Sequence, residues 1–139
     1  MQKLSLVQYD IEYHIVWTSK YRYRVLQGAI AERLRYLIRQ SCNSMKVTII
    51  RGSIGKEHIH ILVSCPPSLS VSKLVQQLKD KTSRTLQMEF RELKTRYWGQ
   101  HLWASGYFCR SVGTVTNKTI KDYIENQQDE SLNNFKIID

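Results

Sequence analysis

Residues 57–64 read Glu57-His58-Ile59-His60-Ile61-Leu62-Val63-Ser64. Successive side chains of a β-strand point to opposite faces, so as a strand this stretch sets His58 and His60 side by side on one surface and buries Ile59, Ile61 and Val63 on the other. Cover is needed on the isoleucine face, and the imidazole face is left open to a ligand. Far downstream, Tyr123 and Gln127 stand four positions apart in a stretch of helical spacing and share one helix face. A phenol, two imidazoles and an amide are thus available to meet around one divalent ion. A lone strand histidine is ordinarily a surface group, and a tyrosine on an apolar stripe is ordinarily core. Gln127 tips the balance, because a primary amide on that stripe would cost free energy in a dry interior.

On either side of this strand the pattern alternates between sheet and helix. In residues 9–17, Tyr9, Ile11, Tyr13, Ile15 and Trp17 occupy alternate positions with Asp10, Glu12 and His14 between them, which predicts a strand with one buried face. The period changes over residues 28–42, where Ile30, Leu34, Leu37 and Ile38 fall at helical spacing with Glu32, Arg33, Arg35 and Arg39 opposite. Residues 46–50 are short and β-branched. Gly52, Ser53 and Gly55 then supply turn residues before the apolar run at 59–63, which predicts a hairpin.

Pro66 and Pro67, the only prolines, end that hairpin because they cannot extend a ladder. Ser70 is the expected N-cap of a helix that turns Val71, Leu74, Val75 and Leu78 inward and continues to about residue 93. Residues 107–112 read as a fourth strand, broken by Gly113 and Thr114. Residues 117–128 read as a last helix with Ile120, Tyr123, Ile124 and Gln127 on one stripe. The order β-α-β-β-α-β-α predicts an α+β fold, a split β-α-β sandwich of the ferredoxin or RNA-recognition-motif type. It has a four-stranded antiparallel sheet with helices on one face, plus a C-terminal helix bearing Tyr123.

A length of 139 residues suits a single domain over 1–139. No run of 18 apolar residues occurs, and Lys3 and Asp10 interrupt the first ten, so neither a membrane span nor a signal-peptide core is expected and the protein reads as cytoplasmic. Cys42, Cys65 and Cys109 are odd in number and scattered, which argues against a disulfide framework and a four-cysteine zinc site. The excess of 21 Lys and Arg over 12 Asp and Glu, a net charge of +9, points to a polyanionic partner, nucleic acid first. Lys20-Tyr21-Arg22-Tyr23-Arg24 interleaves cations with rings, and Arg91, Lys94, Arg96, Tyr97 and Trp98 repeat the mixture. Cations suit phosphates and rings suit unstacked bases, a combination that favours single strands.

Three separated segments, Tyr13-His14-Ile15-Val16-Trp17-Thr18-Ser19-Lys20-Tyr21-Arg22, Glu57-His58-Ile59-His60-Ile61-Leu62 and Tyr123-Ile124-Glu125-Asn126-Gln127, carry a further likeness. With Trp103-Ala104-Ser105-Gly106-Tyr107-Phe108 between the last two, the chain resembles the single-tyrosine HUH transposases of the insertion-sequence 200/605 group (TnpA-like), in family order and over nearly its full length. The resemblance implies metal ligation by His58, His60 and Gln127, with Tyr123 as nucleophile. It implies a homodimer acting on single-stranded DNA with hairpins at element ends, cleaved and rejoined through a 5′-phosphotyrosine. Glu57 stands where a common family form has Asp, a change that leaves the ligands untouched.

The side chains suit this chemistry on their own terms. Two neutral imidazoles and an amide leave the charge of Mg²⁺ or Mn²⁺ uncancelled and leave room for substrate oxygens. Lys118 and Lys121 are candidate aids to phenolate formation, and DNA contacts are expected from Lys20, Tyr21, Arg22, Arg24, Arg96, Lys118 and Lys121. Rival readings are a non-catalytic single-stranded nucleic-acid-binding module on the same architecture and an HUH replication initiator or relaxase. Less weight falls on a zinc protein using His58, His60 and Cys65. His14 shares the polar sheet face with the histidine pair and is expected to act structurally or on DNA.

Overall fold

The computed structural model describes residues 11–114 and 135–137. The expected sandwich is present. Its strands are β1 (Ile11–Thr18), β2 (Thr48–Ile54), β3 (His58–Cys65), β4 (Phe108–Thr114) and β5 (Phe135–Ile137), and its helices are α1 (Gly28–Ser44), α2 (Val71–Glu89) and the short α3 (Arg91–Arg96). The sheet order is β4-β1-β3-β2-β5. β3 lies between β1 and β2, antiparallel to both, and β4 is antiparallel to β1. These four strands are the expected antiparallel set. A fifth, not foreseen, is β5, which joins the outer side of β2 in parallel.

One face of the sheet carries the core. Ile15 and Trp17 of β1 and Ile59, Ile61 and Val63 of β3 are buried there beneath Leu34, Leu37 and Ile38 of α1 and Leu74, Val75, Leu78 and Leu86 of α2. The helical periodicity that predicted α1 and α2 is this buried stripe. Arg33 of α1 clasps Glu89 of α2 through two contacts of 2.8 Å, tying the helices together at the surface. Ser70 caps α2 as expected, its hydroxyl accepting from the Lys73 N–H at 3.1 Å.

Boundaries moved where packing overrode local signals. β2 runs through Gly52 and Ser53, so these are strand residues and the hairpin turn begins at Gly55. Gly52 is needed in the ladder because the Phe135 ring lies across it: a Cβ there would stand 2.9 Å from Phe135 Cε1 and 3.1 Å from Ile61 Cγ2. The helix expected to reach residue 93 stops at Glu89, since Phe90 adopts extended backbone (φ −120°, ψ 100°) before α3 begins. β4 continues through Gly113 to Thr114, with a bulge opposite β1.

The loop before β4 is stitched down by polar groups on the buried stripe of α2. Thr82 accepts from the Trp103 indole at 2.9 Å and Ser83 from the Leu102 N–H at 3.1 Å. Lys79 donates to the carbonyls of Ala104 and Gly106 at 2.8 and 2.9 Å. The same loop holds the end of β1: Lys20 N–H donates to Leu102 at 2.7 Å and Ala104 N–H to Thr18 at 3.0 Å. Among the described residues no helix is long and apolar enough to cross a membrane.

Candidate functional site

The sheet register sets the site. Across β1 and β3, Thr18 faces His58, Val16 faces His60 and His14 faces Leu62; His14 in turn faces Arg110 of β4. Opposed residues of antiparallel strands share a face, so His14, His58, His60 and Arg110 lie together on the surface away from the helices. Both strand histidines are only partly buried, whereas Ile59 and Ile61 between and beside them are fully buried. Further along β3 on the open face, Leu62 and Ser64 are buried, so accessibility is concentrated at the histidine end.

His58 is fixed from two sides. Its Nδ1 lies 3.2 Å from Glu57 Oε1. An ionised carboxylate only accepts, so Nδ1 carries the proton and the lone pair sits on Nε2, the arrangement of a ligand imidazole oriented by an outer carboxylate. Underneath is Gly55, whose N–H donates to the His58 carbonyl at 2.8 Å. A Cβ on Gly55 would stand 2.5 Å from His58 Cε1 and 2.9 Å from Nδ1, so the ring occupies space that only glycine leaves. Glu57 is held below the ordinary carboxylate range, first by its hydrogen bond with His58 and with a smaller contribution from Arg22, whose guanidinium is 3.9 Å away.

His60 is paired with His14: Nδ1 of His14 lies 3.0 Å from Nε2 of His60, and the rings stack at 5.2 Å between centroids. One nitrogen of the pair donates and the other accepts. Partial burial holds His60 below the usual imidazole range, and the nearness of the His14 and His58 rings and of the Arg51 guanidinium adds to the effect by disfavouring a positive charge on His60. At neutral pH it is therefore the uncharged base that a metal requires. Two adjacent, accessible imidazoles, one uncharged by its surroundings and one with its lone pair set by a carboxylate, fit a divalent ion. Among the described residues no group of three or more His, Cys, Asp or Glu is placed to hold a metal. The remaining expected site residues, Tyr123, Gln127, Lys118 and Lys121, lie outside the described residues.

The two cationic segments meet although the sequence separates them widely. Tyr23, Tyr97 and Arg96 converge, with the Tyr23 and Tyr97 centroids 5.5 Å apart and the Arg96 guanidinium 4.2 Å from the Tyr23 ring. Lys20 lies 5.5 Å over Tyr21, and Arg22 and Arg24 are exposed. This cluster continues directly from the end of β1 that faces His58. Sequence reasoning singled out its members and set His14 on the face of the histidine pair, as the structure bears out, but it did not find the orienting role of Glu57 or the space left by Gly55, for which it held no local signal.

An α+β sandwich with paired imidazoles on its open face and a cationic, ring-rich flank defines a class of proteins built to handle nucleic acid. The chain belongs to the family of IS200-like transposases, whose pattern matches residues 7–127. It is 32% identical over 122 residues to the ISDra2 transposase TnpA of Deinococcus radiodurans, covering 88% of this chain and 87% of that protein. To the transposase for insertion sequence element IS200 of Salmonella typhimurium it is 34% identical over 129 residues, covering 93% and 84%. Its fold is similar to a crystal structure described as that of a transposase from Deinococcus radiodurans R1, with a TM-score of 0.72 and 30% identity over 91% of this chain and 98% of that one. A likeness of fold alone extends to a REP-associated tyrosine transposase bound to a REP hairpin, with a TM-score of 0.58 and 13% identity over 91% and 67%.

Proposed function

We propose that this transposase cleaves and rejoins single-stranded DNA at insertion-sequence ends through a covalent 5′-phosphotyrosine on Tyr123, in a metal-dependent reaction. The observation that carries the reading is the accessible His58–His60 pair on the open sheet face of an IS200-family chain. His58 and His60, with Gln127, would hold Mg²⁺ or Mn²⁺. When bound, such an ion polarises the scissile phosphate and stabilises charge developing on it.

The chain's own groups supply the rest. The Tyr123 phenol loses its proton and attacks phosphorus; the bond from phosphorus to the 3′ oxygen breaks, and that oxygen takes up a proton as a free hydroxyl. One phosphodiester is exchanged for another, so resealing requires no nucleotide triphosphate. Ionising a phenol at pH 7 costs about 4 kcal/mol, which Lys118 or Lys121 would offset in part. Lys20, Arg22, Arg24 and Arg96 hold the strand by its phosphates. The hairpin carried by the REP-associated neighbour supports folded-back single strands as the substrate class. That the enzyme works as a homodimer is proposed from the family resemblance alone.

The test is a denaturing gel of the protein with a 5′- or 3′-labelled single-stranded element end and Mn²⁺ or Mg²⁺. A 3′-labelled strand is expected to give a fragment joined to the protein at its 5′ end and a 5′-labelled strand a shortened free fragment ending in a 3′-hydroxyl, both lost in Tyr123→Phe while DNA binding remains. An adduct that survives in Tyr123→Phe removes this tyrosine from the mechanism. DNA that is bound and recovered intact by the unaltered protein supports the non-catalytic binding module instead.

A further inference from the structure

Two rings of the cationic flank stand in solvent on backbone that disfavours them. Tyr21 is 62% exposed and Trp98 is 88% exposed. Tyr21 (φ 62°), Arg22 (φ 55°) and Trp98 (φ 53°) all occupy the left-handed region, and Gly99 (φ 76°) follows Trp98 there. Non-glycine residues hold this conformation only where the surroundings enforce it, and such positions gather at functional sites. Enforcement is visible here. Ser19 N–H donates to Glu57 at 2.9 Å, Arg22 N–H to Ser19 at 2.9 Å, and the Ser19 hydroxyl to the Tyr23 carbonyl at 2.7 Å. Between the exposed rings runs a braced row: Tyr21 and Tyr23 lie 5.4 Å apart, and Tyr23 packs on the buried Tyr97, which immediately precedes Trp98.

We propose that this ledge is a seat for unpaired nucleotides, in which bases stack on Tyr21 and Trp98 and the intervening phosphates lie against Arg22 and Arg96. The assignment rests on single-stranded DNA being the substrate and deepens that reading by stating what the protein recognises beside the histidines. Base faces are available to a ring only when unstacked, so the ledge discriminates unpaired strand from duplex without reading sequence. Arg22 links the seat to the site. Its side chain is 72% exposed, reaches Glu57 at 3.9 Å, and through Glu57 adjoins His58. A strand seated on the ledge is therefore delivered to the ligand imidazoles. A braced, cation-flanked ring suits a flat, charged chain better than an apolar protein surface, which would leave these guanidinium groups desolvated and unpaired.

Binding is measured in EDTA, so that no cleavage occurs, with three probes: a mixed-sequence single-stranded oligonucleotide, the same strand paired to its complement, and an abasic strand of equal phosphate number. Trp17 (1%) and Trp103 (4%) are buried, so quenching of indole emission reports Trp98. The single strand is expected to quench this emission and the duplex is not. Trp98→Ala and Tyr21→Ala should each weaken single-strand binding about tenfold, within the range found for base-on-ring stacking, and leave the abasic strand unchanged. Trp98→Phe should recover most of the loss. Arg22→Gln should lower the magnitude of the salt slope by about 0.7, one phosphate's share for a single strand. Unchanged binding in both alanine variants, or an equal loss on the abasic strand, overturns the seat. Both rings are exposed, so the variants keep the fold, as circular dichroism checks. Adduct formation by Tyr123 is scored separately with metal, so either reading fails without the other.

Discussion

Gly55→Ala tests the geometry of the histidine site through a residue that carries no chemistry. The added methyl would sit 2.5 Å from Cε1 of His58, about 0.9 Å inside the 3.4 Å at which ordinary contact begins. Backbone on both sides is fixed by the hairpin, including the 2.8 Å bond from Gly55 N–H to the His58 carbonyl, so the imidazole is the part that yields. Swinging by about 1 Å takes the ring out of register with Glu57 and His60. A misplacement of that size costs on the order of 10²-fold in rate, and the loss of an outer carboxylate's orientation costs about 10–100-fold in metal affinity. Stability should move the other way or not at all, because replacing glycine in a tolerated conformation restricts the unfolded chain by about 0.4–1 kcal/mol. Metal titration by calorimetry or intrinsic fluorescence, a cleavage assay and thermal unfolding together read the prediction. Gly52→Ala is the control: its methyl would press on Phe135 and Ile61 in the core, so it should lose about 1–3 kcal/mol of stability. Gly55→Ala protein with unaltered metal affinity and cleavage rate would refute the claim that His58 is held in place by the space above this glycine.

Imidazole nitrogen suits Mn²⁺ better than Mg²⁺, so cleavage should reach half its maximum at lower Mn²⁺ than Mg²⁺ and be abolished by EDTA; equal half-saturation would contradict imidazole ligation. The folded-state pKa of His60 lies below its unfolded value, so the unfolded chain takes up the proton first as pH falls. Its contribution to stability is thus full above about pH 6.5 and lost below, and His60→Gln should flatten the fall in Tm between about pH 7 and 5. Burial pushes the Cys42 thiol up to about 12 and Cys65 is also buried, so a thiol reagent should label Cys109 fastest in the folded protein and reach the other two only on unfolding. Lys79→Met should cost about 1–2 kcal/mol of stability in denaturant titration, through loss of two charge-assisted bonds to the loop before β4.

The parts of the fold that could be read in the chain are those in which one periodicity governs a whole element. Alternation in β1 and β3 gave the buried face and placed the histidine pair, and the stripes of α1 and α2 gave the covering layer. Ser70 marked its cap because that contact lies within a single turn. Features that depend on a distant partner were not legible. Gly52 looks like a turn residue until Phe135 is seen lying on it, and three residues at 135–137 are too few to show a period. Phe90 carries no local breaking signal. The candidate site divides in the same way: His58 and His60 follow from parity, whereas the meeting of Tyr23 with Tyr97 and the role of Gly55 arise from loops folded against each other. The expected partners of the histidine pair, Tyr123 and Gln127, rest on spacing and family likeness.

β5 has a practical bearing on how this protein is handled. By pairing with β2 it shields one flank of the sheet, leaving β4, with Phe108 and Val112 in solvent, as the other margin. Shortened versions ending ahead of Phe135 would bare the main-chain amides and carbonyls of β2 and open a hole over Gly52, creating a second adhesive rim. Expression trimmed to the apparent sandwich should therefore yield sticky, poorly behaved material, and tags or fusions at this end are best added after Ile137.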